Sequence, residues 1–207
     1  LITTYFLKRD LKIYRCDIKW FVVFTIVDAT FFQLFLTYGI SKTGAGLGSV
    51  LIDSQPLLVA LLARAIFGNL INPIGWLGLL FGLGGIVFLG FPKEFLEKWW
   101  LMSDTNLGDI QFNIGEAWML AAALAMALGT ILIRLTCKKS DPVAVTGWHM
   151  VFGSFPLIIK YSIETNLQSF PTWSLNEWGL MSFASIFGGA IAYGLFFYFA
   201  NNKEITG

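Results

Sequence analysis

Apolar residues run in blocks of membrane length along this chain, separated by short polar stretches. A helix needs about 20 mostly apolar residues to cross the hydrocarbon core of a bilayer. Six segments meet that requirement: Phe21–Tyr38, Gly44–Phe67, Ile74–Phe91, Ile114–Leu135, Val143–Tyr161 and Gly179–Ala200. Connections as short as 39–43 and 138–142 predict antiparallel helical hairpins, whereas 92–113, with Trp99, Trp100 and several acidic residues, reads as a solvent-exposed linker. The expected fold class is therefore all-α, a polytopic transmembrane helix bundle.

Polar residues inside these blocks carry the candidate chemistry. Asp28 and Gln33 lie within the first block, and Asp53, Gln55 and Pro56 near the centre of the second. An ionisable side chain at bilayer depth is expensive, and it persists where it faces a pathway or a polar partner. Gly46, Ser49, Asp53, Pro56, Ala60 and Ala63 fall at spacings of three and four, a small and polar stripe on one helical face. Pro56 has no amide hydrogen and leaves the Ile52 carbonyl without its helical donor, so a kinked or broken helix is expected beside Asp53. His149 is the single histidine, and Tyr193 sits among the small residues Gly188, Gly189, Ala190, Ala192 and Gly194. The third block aligns Gly75, Gly78, Gly82 and Gly85 on one face, which reads as a surface for close helix packing.

Composition agrees with the pattern. Of 207 residues 56% are hydrophobic and 13% are charged, about half the charged content of a soluble domain. Twenty Phe and eight Trp fit lipid-facing surfaces with interfacial aromatic anchors. The net charge of +1 gives no sign of nucleic-acid binding. What matters is where the charges fall. With the segment before the first span placed inside the cell, ten basic residues (Lys8, Arg9, Lys12, Arg15, Lys19, Arg64, Arg134, Lys138, Lys139, Lys203) lie inside and four (Lys42, Lys93, Lys98, Lys160) outside. That bias is the one cytoplasmic loops carry.

An offset of 161 residues sets 28–46 against 189–207, with five identities: Ala29/Ala190, Leu34/Leu195, Phe35/Phe196, Lys42/Lys203 and Gly46/Gly207. The two copies would cross the membrane in opposite directions, as inverted transporter repeats do. The string Phe32-Gln33-Leu34-Phe35-Leu36, followed by 43–50 and by Ile52-Asp53-Ser54-Gln55-Pro56-Leu57, resembles the EamA domain of the drug/metabolite transporter superfamily, in its cyanobacterial and chloroplast branch. Asp141-Pro142, Thr146-Gly147-Trp148-His149-Met150, 185–188 and Ala192-Tyr193-Gly194 resemble the second EamA repeat of that branch. The resemblance implies two inverted five-helix repeats: residues 1–92 would be the remainder of the first, 93–113 an external linker, and 114–207 the start of the second, with further helices expected on either side. Where the family carries Glu after the Phe-Gly that closes its fourth helix, Phe67-Gly68 is followed here by Asn69.

The reading is a secondary transporter of small metabolites, amino-acid-like or amphipathic, working by alternating access in a bacterial cytoplasmic membrane or a chloroplast envelope. Its translocation residues would be Asp28, Gln33, Asp53, Gln55, Pro56, His149 and Tyr193. Its partners would be a small-molecule substrate and the lipid bilayer, with no cofactor and no metal. A carboxyl in a span is a candidate carrier of a coupling proton, and a homodimer stays open. No zinc-protease, nucleophile-elbow or phosphate-loop string occurs. Asp28 and Asp53 leave an intramembrane aspartyl-type hydrolase as the enzymatic alternative, with a membrane scaffold as a third reading.

The charge bias places Cys16 and Cys137 on the cytoplasmic side, where thiols stay reduced. A membrane-impermeant thiol reagent should leave both unlabelled on intact cells and reach them only after permeabilisation. Strong labelling of either on intact cells would invert the topology.

Overall fold

The computed structural model describes residues 9–68, 71–90, 114–164 and 173–202. Among these residues all regular structure is helical: α1 (Ile18–Phe24), a π-helical segment π1 (Thr25–Phe31), α2 (Phe32–Thr43), α3 (Ala45–Ile52), α4 (Gln55–Phe67), α5 (Pro73–Gly90), α6 (Ile114–Thr136), α7 (Pro142–Glu164), α8 (Leu175–Phe183), a second π segment π2 (Ala184–Ile191) and α9 (Ala192–Asn202). Among the described residues, five stretches are long and apolar enough to cross a membrane: Ile18–Thr43, Gly46–Phe67, Ile114–Thr136, Pro142–Glu164 and Leu175–Asn201. The sixth expected span corresponds to α5, 18 residues with no charged side chain. The linker 93–113, Asn69 and Lys203 lie outside the described residues.

Two compact units divide the chain, one of 1–31 and 128–205 and the other of 32–127. In the first, Phe21, Phe24, Leu132, Ile133, Val145 and Phe197 form a closed apolar cluster. The Phe24 and Phe197 rings meet edge to face at 5.1 Å. Such pairs add roughly 0.5–1.5 kcal/mol beyond the area they bury. Glycine lets backbones approach here: a Cβ on Gly153 would fall on Ala29, and the Thr30 hydroxyl donates to the Gly153 carbonyl at 3.2 Å. That bond joins π1 to α7.

The same unit is tied at one end by a polar knot. Asp17 is fully buried just before α1. Its Oδ2 accepts from the Lys139 and Ser140 amides at 3.0 and 2.9 Å and from the Ser140 hydroxyl at 2.7 Å. Arg9 pairs with Asp141 at 3.1 Å and lies over the Tyr198 ring. The Trp148 indole donates to the Leu11 carbonyl, and Arg134 Nε to the Ala200 carbonyl. The segment before α1, the α6–α7 connection and the end of α9 therefore meet, the three stretches of this unit that the basic-residue bias puts inside.

In the second unit, Gly39 of α2 packs against Met119, and a Cβ at that position would collide with its side chain. Phe35 stacks on Trp118 with ring centres 5.4 Å apart. The second sequence block is two helices, not one: α3 ends at Ile52, Asp53 and Ser54 form a turn, and α4 begins at Gln55. The stripe from Gly46 to Ala63 is thus shared between two helices, and Gly46, Ser49, Asp53 and Pro56 along it are all exposed. Proline at the second position of α4 fits a first turn, and its missing amide hydrogen takes away the donor that the Ile52 carbonyl would have in a continuous helix. Gly68 closes α4 in the left-handed conformation, φ 70°. Of the α5 glycines expected to make a packing face, Gly82 lies under Leu57, whereas a Cβ on Gly78 or Gly85 would meet no atom of another described element within 4 Å.

Burial disfavours the charged form of Asp17, but the hydrogen bonds from Ser140 and Lys139 outweigh it and hold the carboxyl below its usual range. A carboxyl lowered on folding stabilises above its unfolded value, about 3.9, and that contribution fades as pH falls through the lower folded value. Asp17→Ala should cost about 1.5–3 kcal/mol, the worth of charge-assisted hydrogen bonds, in detergent unfolding near neutral pH. The gap to the unsubstituted protein should narrow in acid below about pH 4. A gap independent of pH would remove the charge from the argument.

Candidate functional site

Asp28 emerges from π1 into the interior of the first unit, where its side chain is fully buried. A π turn carries an extra residue per turn and shifts the face on which later side chains emerge, and such turns are frequent at functional sites. At the start of π1 the Thr25 hydroxyl donates to the Phe21 carbonyl at 2.8 Å. Asp28 Oδ2 lies 3.0 Å from His149 Nε2 on α7. His149 is 1% exposed. Its Nδ1 faces the carbonyl of Thr146, one turn earlier on the same helix. A carbonyl only accepts, so Nδ1 carries a hydrogen in every state of the ring.

Aromatic rings enclose the imidazole. Phe24 stacks on it at 4.3 Å and Phe197 meets it edge-on at 5.7 Å. Tyr193 is half-buried one turn before Phe197 on α9, its ring 5.7 Å from the Phe197 ring. On the α6 side Gly129 closes the site: a Cβ there would overlap the Asp28 carboxylate. Asp28 Oδ1 is buried without a hydrogen-bond partner. Three expected translocation residues, Asp28, His149 and Tyr193, thus occur in one unit, two of them directly bonded.

The other four, Gln33, Asp53, Gln55 and Pro56, belong to the second unit. Asp53 caps the end of α3 and its side chain is exposed, while Gln55 is buried in the first turn of α4. Ser54, between them, holds its hydroxyl buried and without a hydrogen-bond partner. Its carbonyl accepts from the Leu57 and Leu58 amides. Pro56 borders a cavity of about 310 Å³ between α4 and α5, lined by Leu57, Ala60, Asn72, Gly75 and Gly78 among others. Gln33 is half-buried on α2, and its carbonyl accepts from the Thr37 hydroxyl. Among the described residues no cluster of His, Cys, Asp or Glu could hold a metal ion.

Residue reading missed Thr146, Gly129, Phe24 and Phe197 as parts of the site. Thr146 stands in the same short string as His149, three residues before it, a spacing that brings a helical carbonyl next to a ring nitrogen. No comparable local signal marks Gly129, which acts across helices.

These features define an all-α, multi-pass integral membrane protein with buried ionisable groups inside its spans. The EamA-like transporter family matches residues 1–91 and 113–206, and the chain belongs to it. It is similar to the uncharacterized transporter sll0355 of Synechocystis, 45% identical over 192 residues that cover 90% of this chain and 57% of the relative. A chloroplastic WAT1-related protein of Arabidopsis thaliana, At3g02690, is 43% identical over 193 residues, 90% of this chain and 44% of that protein. The uncharacterized transporter YoaV of Bacillus subtilis is 26% identical over 182 residues, 84% of this chain and 58% of its own length. The chain spans about half the length of the curated relatives it matches. No solved structure matches it.

Gly129→Ala should push the Asp28 carboxylate off its place and cost about 1–3 kcal/mol, as overpacking does. Gly78→Ala, with open space around it, should be neutral or slightly stabilising. Thermal unfolding in detergent compares the two. Equal effects would mean that the close approach at Gly129 is not maintained.

Proposed function

We propose that the chain forms the membrane-spanning body of a secondary transporter that moves small metabolites, amino-acid-like or amphipathic, by alternating access. The observation that carries this is the helix break at Asp53–Ser54 inside an apolar stretch of membrane length. Irregular backbone at bilayer depth is tolerated where it lines a cavity, and transporters bind substrates at such interrupted helices. The exposed carboxylate of Asp53 at this break suits a substrate that bears an ammonium group. The largely apolar cavity beside Pro56 suits a hydrophobic side chain.

The two EamA matches, 1–91 and 113–206, support a division into a first repeat (1–92), an external linker (93–113) and a second repeat (114–207). So do the π segments: the offset of 161 carries π1 onto 186–192, against the observed Ala184–Ile191. Rocking of these repeats would supply alternating access, driven by an ion gradient or by exchange. An aspartyl-type hydrolase needs two carboxylates facing each other across a water. Asp28 instead gives one oxygen to His149, and the relatives are named as transporters, so the enzymatic reading finds no support.

Asp53→Asn keeps the side-chain volume and removes the charge. In the full-length protein, reconstituted in liposomes and assayed by counterflow with labelled amino acids, it should lower affinity or rate more than tenfold, since a lost charge contact is worth about 1.5–3 kcal/mol. Wild-type kinetics in Asp53→Asn would reduce this carboxylate to a structural residue.

A further inference from the structure

We infer that Asp28 and His149 together hold one exchangeable proton, carried between Asp28 Oδ2 and His149 Nε2, and that this pair is the coupling site of the transporter proposed above. The inference rests on that transport reading for its role and on geometry for its chemistry.

The Thr146 carbonyl settles one ring nitrogen: Nδ1 keeps its hydrogen. Nε2 is left facing a carboxylate oxygen at 3.0 Å. Two arrangements fit these heavy atoms. In one, the Asp28 acid donates to a neutral imidazole; in the other, an imidazolium donates to the Asp28 carboxylate. They differ only in where one proton sits along the Oδ2–Nε2 line, and the pair is neutral in both. Removing that proton leaves a carboxylate facing the imidazole lone pair, with a full negative charge among Phe24, Phe197 and Gly129. An uncompensated buried charge is strongly unfavourable. The proton therefore leaves when the cage opens to water or a cation replaces it, and it returns from water by the reverse step. This links its release to conformation, the requirement for coupling.

The surroundings of the pair are nearly free of other charge. Gly129 covers Asp28 from α6, and Arg134, more than one turn further along α6, donates to the Ala200 carbonyl at 2.9 Å. Lys19 lies exposed at the start of α1, two turns before Asp28. On α7 the titratable groups besides His149 are Tyr161 and the mutually paired Lys160 and Glu164, all beyond Pro156. On α8 the exposed Glu177 bonds Ser174. Tyr193 of α9 lies within electrostatic reach of Asp28, and Tyr198, further along α9, lies under Arg9.

His149 is the single histidine, so [15N]histidine labelling of the full-length protein in liposomes reports this residue alone by solid-state NMR. Nδ1 should stay protonated while Nε2 changes in one step with pH, and that step should disappear or move in Asp28→Asn. An Nε2 signal that ignores pH, or titrates identically in Asp28→Asn, overturns the inference. The coupling role is read separately, as accumulation of a labelled amino-acid mixture under a gradient of one pH unit. One proton per substrate makes that gradient worth about tenfold. The ratio of accumulation with and without the gradient should be near ten in wild type and near one in Asp28→Asn and His149→Gln. A ratio near ten in both variants overturns the coupling role. Absence of uptake by wild type counts against the transport reading, and the NMR step then decides whether the pair holds the proton.

Discussion

A carboxylate buried inside a membrane span must be given a partner, and most of the first unit is arranged around that requirement. Asp28 reaches His149 because π1 turns it inward and because Gly153 lets α7 lie directly on Ala29. The Thr30–Gly153 hydrogen bond adds a second tie between the same two elements. His149 in turn is held by the Thr146 carbonyl and by Phe24 and Phe197, which are central members of the apolar cluster. Core packing and polar satisfaction are therefore one arrangement here. Cutting the Asp28–His149 link would strand a charged or polar group among aromatic rings, which is destabilising.

The spans were legible in the amino-acid pattern because length and hydropathy alone decide them. Each of the six apolar blocks reappears as helix, with ends shifted by a few residues. The interruption beside Asp53 was legible as well, through Pro56, although its form was not. A proline in the middle of an apolar block is compatible with a kink or with two helices, and the turn at Asp53–Ser54 is the second. Membership of the EamA-like family was readable from strings such as 52–57 and 146–150, and the matched regions cover nearly all of the chain.

The partnership of Asp28 with His149 was not legible, for a physical reason. The two are 121 positions apart, and their meeting depends on backbone features with weak sequence signatures. π1 reads as ordinary helix, because Thr25, Ile26, Val27, Asp28 and Ala29 carry no punctuation of the kind Pro56 provides. Gly129 and Gly153 look like routine small residues of membrane helices until the atoms opposite them are known. Asp28, His149 and Tyr193 could be selected one at a time by residue type. Which of them pair is a property of packing. In the second unit the same type-based selection singled out Asp53, Gln55 and Pro56, and the turn places an exposed carboxylate, a buried amide and a cavity wall within four residues.

Asp28 and His149 meet directly across π1 and α7. A double-mutant cycle measures that link: unfolding free energies in detergent for wild type, Asp28→Asn, His149→Gln and the double variant. Bonded neighbours in a shared buried network should show a coupling of about 0.5–3 kcal/mol. Additive effects, with a coupling indistinguishable from zero, would contradict the pairing and the site built on it.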